Sequence, residues 1–310
     1  MIAPLHFVDA CRVEEAPKGA IVVVIDREGR LPEIDPQSCD AAVTTAPNAP
    51  APWVGVDPRR LAAQIDGVRR TVATAPLAAT LLVRVLRLTE HLPFDDALEV
   101  ESLAYSTLLG GAEFASWLAA RPAVSGMSGT PEVRYEREDD AVRLTLCDPM
   151  THNAMTAAMR DALCEALENV FDDPSVPSVT LTGAGRCFST GGHLPEFGTQ
   201  RDLGLAHAIR MARSPARLLH RLGARGEVVL HCACIGSGIE IAAAAHRRVG
   251  KPGTCVQLPE LAMGLIPGAG GTVTLPRAIG RHRTAWLVLG GFRLGAQQAL
   301  AWGLLHAIEP

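Results

Sequence analysis

Three blocks decide the fold of this chain: Thr182–Phe197, TGAGRCFSTGGHLPEF; Val228–Arg248, VVLHCACIGSGIEIAAAAHRR; and Gln257–Thr272, QLPELAMGLIPGAGGT. In each, an apolar strand-like run enters a glycine-rich turn and a helix-like run follows. Glycine turns let backbone N–H groups face a ligand with no Cβ in the way. Two such turns facing each other can hold one oxygen that gains negative charge during a reaction. Glu240 follows Gly236-Ser237-Gly238, and Glu260 lies in the third block. Paired carboxylates beside an anion hole point to acid–base chemistry next to a carbonyl.

Cys187–Glu196, CFSTGGHLPE, resembles the first signature of the crotonase family, the enoyl-CoA hydratases and isomerases, roughly AFxAGxDLxE. The family's second signature, GGGxE followed by the Glu of a PE pair, is matched by Gly236–Glu240 and Pro259-Glu260, with 20 residues from Glu240 to Glu260. GLIPGAGGT at Gly264–Thr272, TAWLVLGG at Thr284–Gly291 and ALAWGLL at Ala299–Leu305 are similar to later family segments, and the resemblance covers about residues 132–310. It implies an α/β fold with a ββα spiral core. By the same resemblance the amides of Gly192 and Ser237 form the oxyanion hole, and Glu240 and Glu260 are the catalytic pair that hold one water. His193, Gly236 and Gly238 are placed in their supporting shell, and Arg186 is a candidate contact for coenzyme A. The implied activity is reversible hydration of a 2-enoyl-CoA. Enoyl-CoA isomerase or other crotonase-type enolate chemistry, and a catalytically degenerate CoA-binding subunit, are the alternatives. Coenzyme A arrives as part of the substrate, so no metal or redox cofactor is expected, and the family's habit implies a homotrimer or hexamer.

Three departures from the family pattern bear on that reading. His193 stands where the family usually has aspartate, and a hydrogen-bonded structural histidine is the expectation there. His231-Cys232 replaces the usual Asn-Gly, and His246 stands where aspartate often follows the catalytic helix.

The N-terminal part divides by texture. Residues 1–20 read as a poorly structured leader, and Ile21–Ile25 (IVVVI) as a strand closed by a turn. The proline-broken stretch to Pro58 leaves room for two more short strands, so 1–56 is a leader with short strands. Asp57-Pro58 is a helix start, with Leu61, Ile65, Val68 and Val72 on one face. Further helices are expected over roughly 77–88, 94–109 and 111–120. This helical subdomain, 57–122, resembles the helices that normally follow the crotonase core and close over its acyl pocket, which suggests a circular permutation. An unrelated helical domain before the core is the other reading. Residues 123–131 read as a linker, and 132–310 as the spiral core.

Composition narrows the partners. Hydrophobic residues are 48% of 310 but aromatics only 4%, so Ala, Leu, Val and Gly must fill the core. The formal charge of −4 with dispersed basic residues gives no footprint for nucleic acid or an anionic membrane. No uncharged run of apolar residues is long enough for a membrane span, and the N-terminus lacks the pattern of a secretory signal. Eight cysteines without a CxxC pair are expected to be reduced core thiols in a cytoplasmic protein. Cys232 and Cys234 are expected to share one face of a strand, without a metal. The arginines of 198–225 read mainly as a solvated helix face.

Overall fold

The computed structural model describes residues 2–15, 17–121 and 129–310. Most of the expected linker, 123–128, lies outside the described residues.

The β-branched run IVVVID becomes β2 (Ile21–Asp26), buried along its whole length, and it pairs in parallel with β1 (Leu5–Asp9). The expectation of an unstructured leader over 1–20 is therefore corrected. Leu5, Phe7 and Val8 supply half-buried faces that the buried β2 pairs and packs. β3 (Ala41–Thr44) and β4 (Trp53–Gly55) complete a four-stranded parallel sheet in the order β1-β2-β3-β4. A strand buried on both faces is what such near-continuous apolar runs specify.

Four helices follow at the expected places: α1 (Pro58–Thr74), α2 (Pro76–Thr89), α3 (Phe94–Leu109) and α4 (Ala112–Ala120). Asp57 caps α1, its carboxylate accepting from the Arg59 amide, and Pro58 occupies the first helical position. Leu61, Ile65, Val68 and Val72 are the buried stripe of α1, as their spacing requires. Each such side chain contributes about 1.5–3 kcal/mol by leaving water.

The remaining chain supplies β5 (Glu132–Glu138), β6 (Ala141–Cys147), α5 (Ala157–Asp172), β7 (Ser178–Gly183), α6 (Leu203–Ala212) and α7 (Pro215–Leu222). Next come β8 (Gly226–Leu230), β9 (Ala233–Ile235), α8 (Ser237–Ala242), β10 (Arg247–Gly250) and β11 (Cys255–Gln257). The chain ends in α9 (Gly271–Ile279), α10 (Arg281–Gly290), β12 (Arg293–Gly295), α11 (Ala296–Trp302) and β13 (Ala307–Ile308). From β8 to β11 consecutive strands alternate between two sheets. β8 and β10 belong to the six-stranded sheet β13-β10-β8-β7-β6-β5, while β9 and β11 belong to the three-stranded sheet β12-β11-β9. This alternation is the winding of the expected spiral, and it sets the second glycine turn, Gly236–Gly238, directly after the short strand β9.

One apolar core runs through both parts of the chain, from Ile21 and Leu82 to Leu144, Leu181 and Leu287. The N-terminal sheet adds Ile21, Val23 and Ile25 to this core and keeps a small apolar cluster of its own around Val22, Val24, Ala42 and Trp53. It docks on α10 through two buried guanidiniums. Arg281 donates to the carbonyls of Cys39 (2.9 Å) and Pro36 (2.8 Å), and Arg283 donates to that of Ala49 (2.9 Å).

Cys232 and Cys234 do not share a face. Cys232 is exposed at φ 50°, ahead of β9, whereas Cys234 is buried within it. The positive φ breaks the alternation that two strand residues would have kept. Instead the Cys232 thiol lies 3.7 Å from that of Cys187. Among the described residues no cluster of His, Cys, Asp or Glu is arranged to hold a metal ion.

Candidate functional site

The first glycine turn is held open by a buried asparagine. Asn153 Nδ2 donates to the carbonyls of Ala184 (2.8 Å), Cys187 (2.9 Å) and Phe188 (3.1 Å). Its Oδ1 accepts from the Asp148 amide (2.8 Å). Ser189 continues the brace: its hydroxyl donates to the Asn153 carbonyl (2.7 Å) and accepts from the Gly191 amide (3.2 Å). Gly191 then turns at φ 87°, and a Cβ there would come within 2.6 Å of the Ile235 carbonyl oxygen. The two turns are thus packed backbone against backbone, which only glycine permits.

The amides of Gly192 and Ser237 have no hydrogen-bond acceptor among the described residues. Both residues line one cavity of about 260 Å³, and Glu240 and Glu260 line it with them. Gly236, at φ 48° and ψ −126°, brings its backbone so near the second carboxylate that a Cβ would lie 2.7 Å from Glu260 Oε1. Gly238 is turned elsewhere; a Cβ on it would meet Ser189 at 2.8 Å. The Ser237 hydroxyl is buried without a partner.

The two carboxyls are buried, at 2% exposure for Glu240 and 6% for Glu260, yet they are held differently. Glu240 Oε2 accepts from the amides of Ala269 (2.7 Å) and Gly271 (3.0 Å). Burial pushes its pKa up to about 7 against the pull of those amides. Glu260 Oε2 has no partner, and burial, with the neighbouring Glu240 charge adding to it, raises this carboxyl well above the usual range. Their surroundings thus favour ionisation of Glu240 before Glu260.

Sequence reasoning missed a third carboxyl. Glu101 of α3 is 2% exposed and accepts from Gly270 N, Thr272 N and Thr272 Oγ1, each at 2.7 Å. Burial, then the charge of Glu240, pushes it up to about 8. The apolar stripe of α3 gave no hint, because a lone Glu in a helix normally marks the solvent side. Asn153 was missed similarly, inside a loop whose φ of 56° at that residue is not legible from its neighbours.

Of the helices that precede the core, α3 and α4 wall the site. Tyr105 of α3 lines the cavity of the two carboxyls and also a larger outer one of about 580 Å³, to which Phe114 and Leu118 of α4 contribute. His193 lines the outer cavity; its Nδ1 is buried without a hydrogen bond, 4.0 Å from Glu196. The expected hydrogen-bonded histidine is corrected to this extent: the short helical turn Leu194–Glu196 points Glu196 Oε2 at the Ala157 amide instead. Arg186 is exposed and lines neither cavity.

Residues 136–310 match the family model described as Enoyl-CoA hydratase/isomerase. Over 165 residues the chain is 31% identical to a probable enoyl-CoA hydratase of Bacillus subtilis (strain 168), an alignment that takes in 52% of this chain and 63% of that protein. It is also 31% identical over 182 residues to the 2,3-dehydroadipyl-CoA hydratase of Escherichia coli (strain K12), covering 58% of this chain and 69% of the relative. Among solved structures, the enoyl-CoA hydratase of Thermoplasma volcanium GSS1 superposes with a TM-score of 0.53 at 29% identity, over 57% of this chain and 71% of that one.

Proposed function

The chain belongs to the enoyl-CoA hydratase/isomerase family, and on that premise we propose that it adds water reversibly to a 2-enoyl-CoA. The observation that carries this reading is the shared wall of one cavity, where two partnerless amides, Gly192 and Ser237, stand beside two buried carboxyls, Glu240 and Glu260.

Roles follow from the surroundings of each carboxyl. Two turn amides favour the ionised form of Glu240, whereas Glu260 has a bare oxygen and the Glu240 charge beside it. Groups whose environments push their protonation apart divide into base and acid. Glu240 takes a proton from water as the water oxygen bonds to the β-carbon. The electron pair of the double bond moves onto the thioester oxygen, which the two amides receive. Glu260 delivers its proton to the α-carbon, and the enolate collapses to the 3-hydroxyacyl thioester. One oxyanion donor lowers the barrier by roughly 3 kcal/mol, and each positioned acid or base contributes about 10²–10⁴ in rate. No metal or redox group enters this scheme.

The same reading takes α1–α4 as the family's closing helices moved ahead of the core. The place of α3 and α4 on the walls of the two cavities supports it, as does the match to solved relatives, which leaves nearly a third of the Thermoplasma chain unaligned. Assembly into trimers or paired trimers belongs to the same proposal and is checked by light scattering. The enzymatic reading is tested by the loss of enone absorbance of crotonyl-CoA on addition of the protein. Glu260→Gln should remove nearly all turnover while leaving acyl-CoA binding intact. No turnover on any enoyl-CoA, with CoA bound, would favour a binding subunit instead.

A further inference from the structure

The catalytic and outer cavities share a wall that carries two guanidiniums, Arg160 of α5 and Arg210 of α6. Arg210 is wedged against α3. Its Nε donates to Ser102 Oγ (3.0 Å), its Nη2 to the Ser102 carbonyl (3.2 Å) and to Ser106 Oγ, and its plane lies 4.9 Å from the centroid of the Tyr105 ring. All of these partners are neutral. Nη1 has no acceptor among the described residues. The carboxyl that acts on Arg210 is Glu101, whose oxygens are already taken by Gly270 and Thr272. Arg160 pairs with Asp161 at 2.8 Å through Nε and Nη2, and its Nη1 too has no acceptor among the described residues. The outer cavity adds Arg201 against one carboxylate, Glu196.

A half-buried cation without an anionic partner is unfavourable, and desolvation already lowers the Arg210 pKa. Filling the cavity with a purely apolar chain would displace water from Nη1 and return nothing. A site with an unmet polar group rejects the ligand that lacks its partner. Guanidinium planes match carboxylates in two-point contact. The phosphates of coenzyme A are the competing anion, but the pantetheine arm holds them away from the thioester. Arg210 lines the same cavity as the two amides that face the thioester oxygen.

We propose that the acyl chain of the substrate carries a carboxylate beyond its reacting carbons, seated on Arg210 and Arg160; this rests on the thioester reading of the cavity given above. The protein is therefore selective for dicarboxylic acyl thioesters over their monocarboxylic counterparts.

The test is equilibrium binding, by calorimetry, of saturated acyl-CoAs that cannot turn over. Glutaryl-, adipyl- and pimelyl-CoA are compared with pentanoyl-, hexanoyl- and heptanoyl-CoA and with free CoA. At least one dicarboxylic member should bind the wild type about ten- to a hundredfold more tightly than its partner of equal length, the range expected of a charge-assisted hydrogen bond. Arg210→Met and, separately, Arg160→Met should collapse that ratio toward one. Equal or weaker binding of every dicarboxylic member overturns the proposal, and this comparison needs no variant. A loss of free-CoA affinity in Arg210→Met matching its loss for adipyl-CoA also overturns it, since the phosphates would then be the ligand. The hydration reading stands or falls separately, on crotonyl-CoA turnover.

Discussion

Glu101 and Glu240 divide four consecutive amides of one turn between them. Glu240 Oε2 accepts from residues 269 and 271, and Glu101 accepts from residues 270 and 272. The two side chains arrive from opposite directions, one from α8 in the core and the other from α3 in the block that precedes it. A glycine-rich turn suits this arrangement because a Cβ at Gly271 would lie 2.7 Å from Glu240 Cγ. The turn therefore makes α3 part of the geometry of the Glu240 carboxylate.

Glu101→Ala leaves two buried amides and the Thr272 hydroxyl without an acceptor. Unmet buried donors cost about 1–3 kcal/mol each, so a loss of about 3 kcal/mol and a drop of about 4–5 °C in the melting midpoint are expected. kcat should fall as well, because the turn that orients Glu240 is released. A variant with unchanged melting and unchanged kcat would show that the turn holds itself.

The pH dependence of activity follows from the separated carboxyls. With Glu240 as base at about 7, kcat/KM on crotonyl-CoA should rise through neutral pH and fall again on the alkaline side as Glu260 loses its proton. Glu101, pushed up to about 8, still holds its proton when Glu240 titrates, so Glu101→Gln should leave the acid limb nearly where it is. A profile flat from pH 6 to 9 in the wild type would count against the pair.

Stability should carry the opposite signature. Burial lifts Glu101 to about 8 and Glu240 to about 7, above the roughly 4.3 of a free glutamate. A carboxyl whose folded pKa is raised binds its proton more tightly in the folded chain. Its contribution is complete below about pH 4 and is lost as the pH rises through 7 to 8. Melting midpoints should therefore fall between pH 5.5 and 8.5, and by less in Glu101→Gln. An equal fall in the variant would assign the effect to other groups.

The turns, helices and paired glutamates were legible because local chemistry decides them. Gly191 and Gly236 occupy φ values that side chains resist, Asp57-Pro58 caps a helix, and the Glu240–Glu260 spacing is fixed by one winding of the spiral. Glu101 and Asn153 were not legible, since each acts on backbone more than 30 residues away in the chain, Thr272 for one and Ala184 for the other. β1 was hidden for a related reason. Its five residues are stabilised by pairing with β2 rather than by any pattern of their own. Arg281, buried at 3%, reads as a surface residue until the N-terminal carbonyls that it meets are in place.

That arginine gives a stability prediction. Arg281→Ala removes the donors to Cys39 and Pro36 and the 3.1 Å pair with Glu90. Charge-assisted hydrogen bonds are worth about 1.5–3 kcal/mol each, so a loss of about 3 kcal/mol is expected, with faster hydrogen exchange concentrated in β1–β4. Arg69→Ala, which breaks an exposed pair with Asp66, should change stability by less than about 1 kcal/mol. Equal effects of the two would mean that the docking of the N-terminal sheet does not depend on α10.

Gly236→Ala separates backbone strain from damage to the site. Alanine at φ 48° and ψ −126° is strained by about 1–3 kcal/mol, and its Cβ would also press on Glu260 Oε1 from 2.7 Å. Gly253 provides the matched control. It too has a positive φ, 86°, but a Cβ there meets nothing within 4 Å. Both alanine variants should melt a few degrees lower. Only Gly236→Ala should lose kcat, by more than about tenfold, because only there does the added carbon displace the proton donor from the cavity. The split is read by measuring melting and crotonyl-CoA turnover on the same two preparations, and comparable kcat losses in both would remove Gly236 from the site.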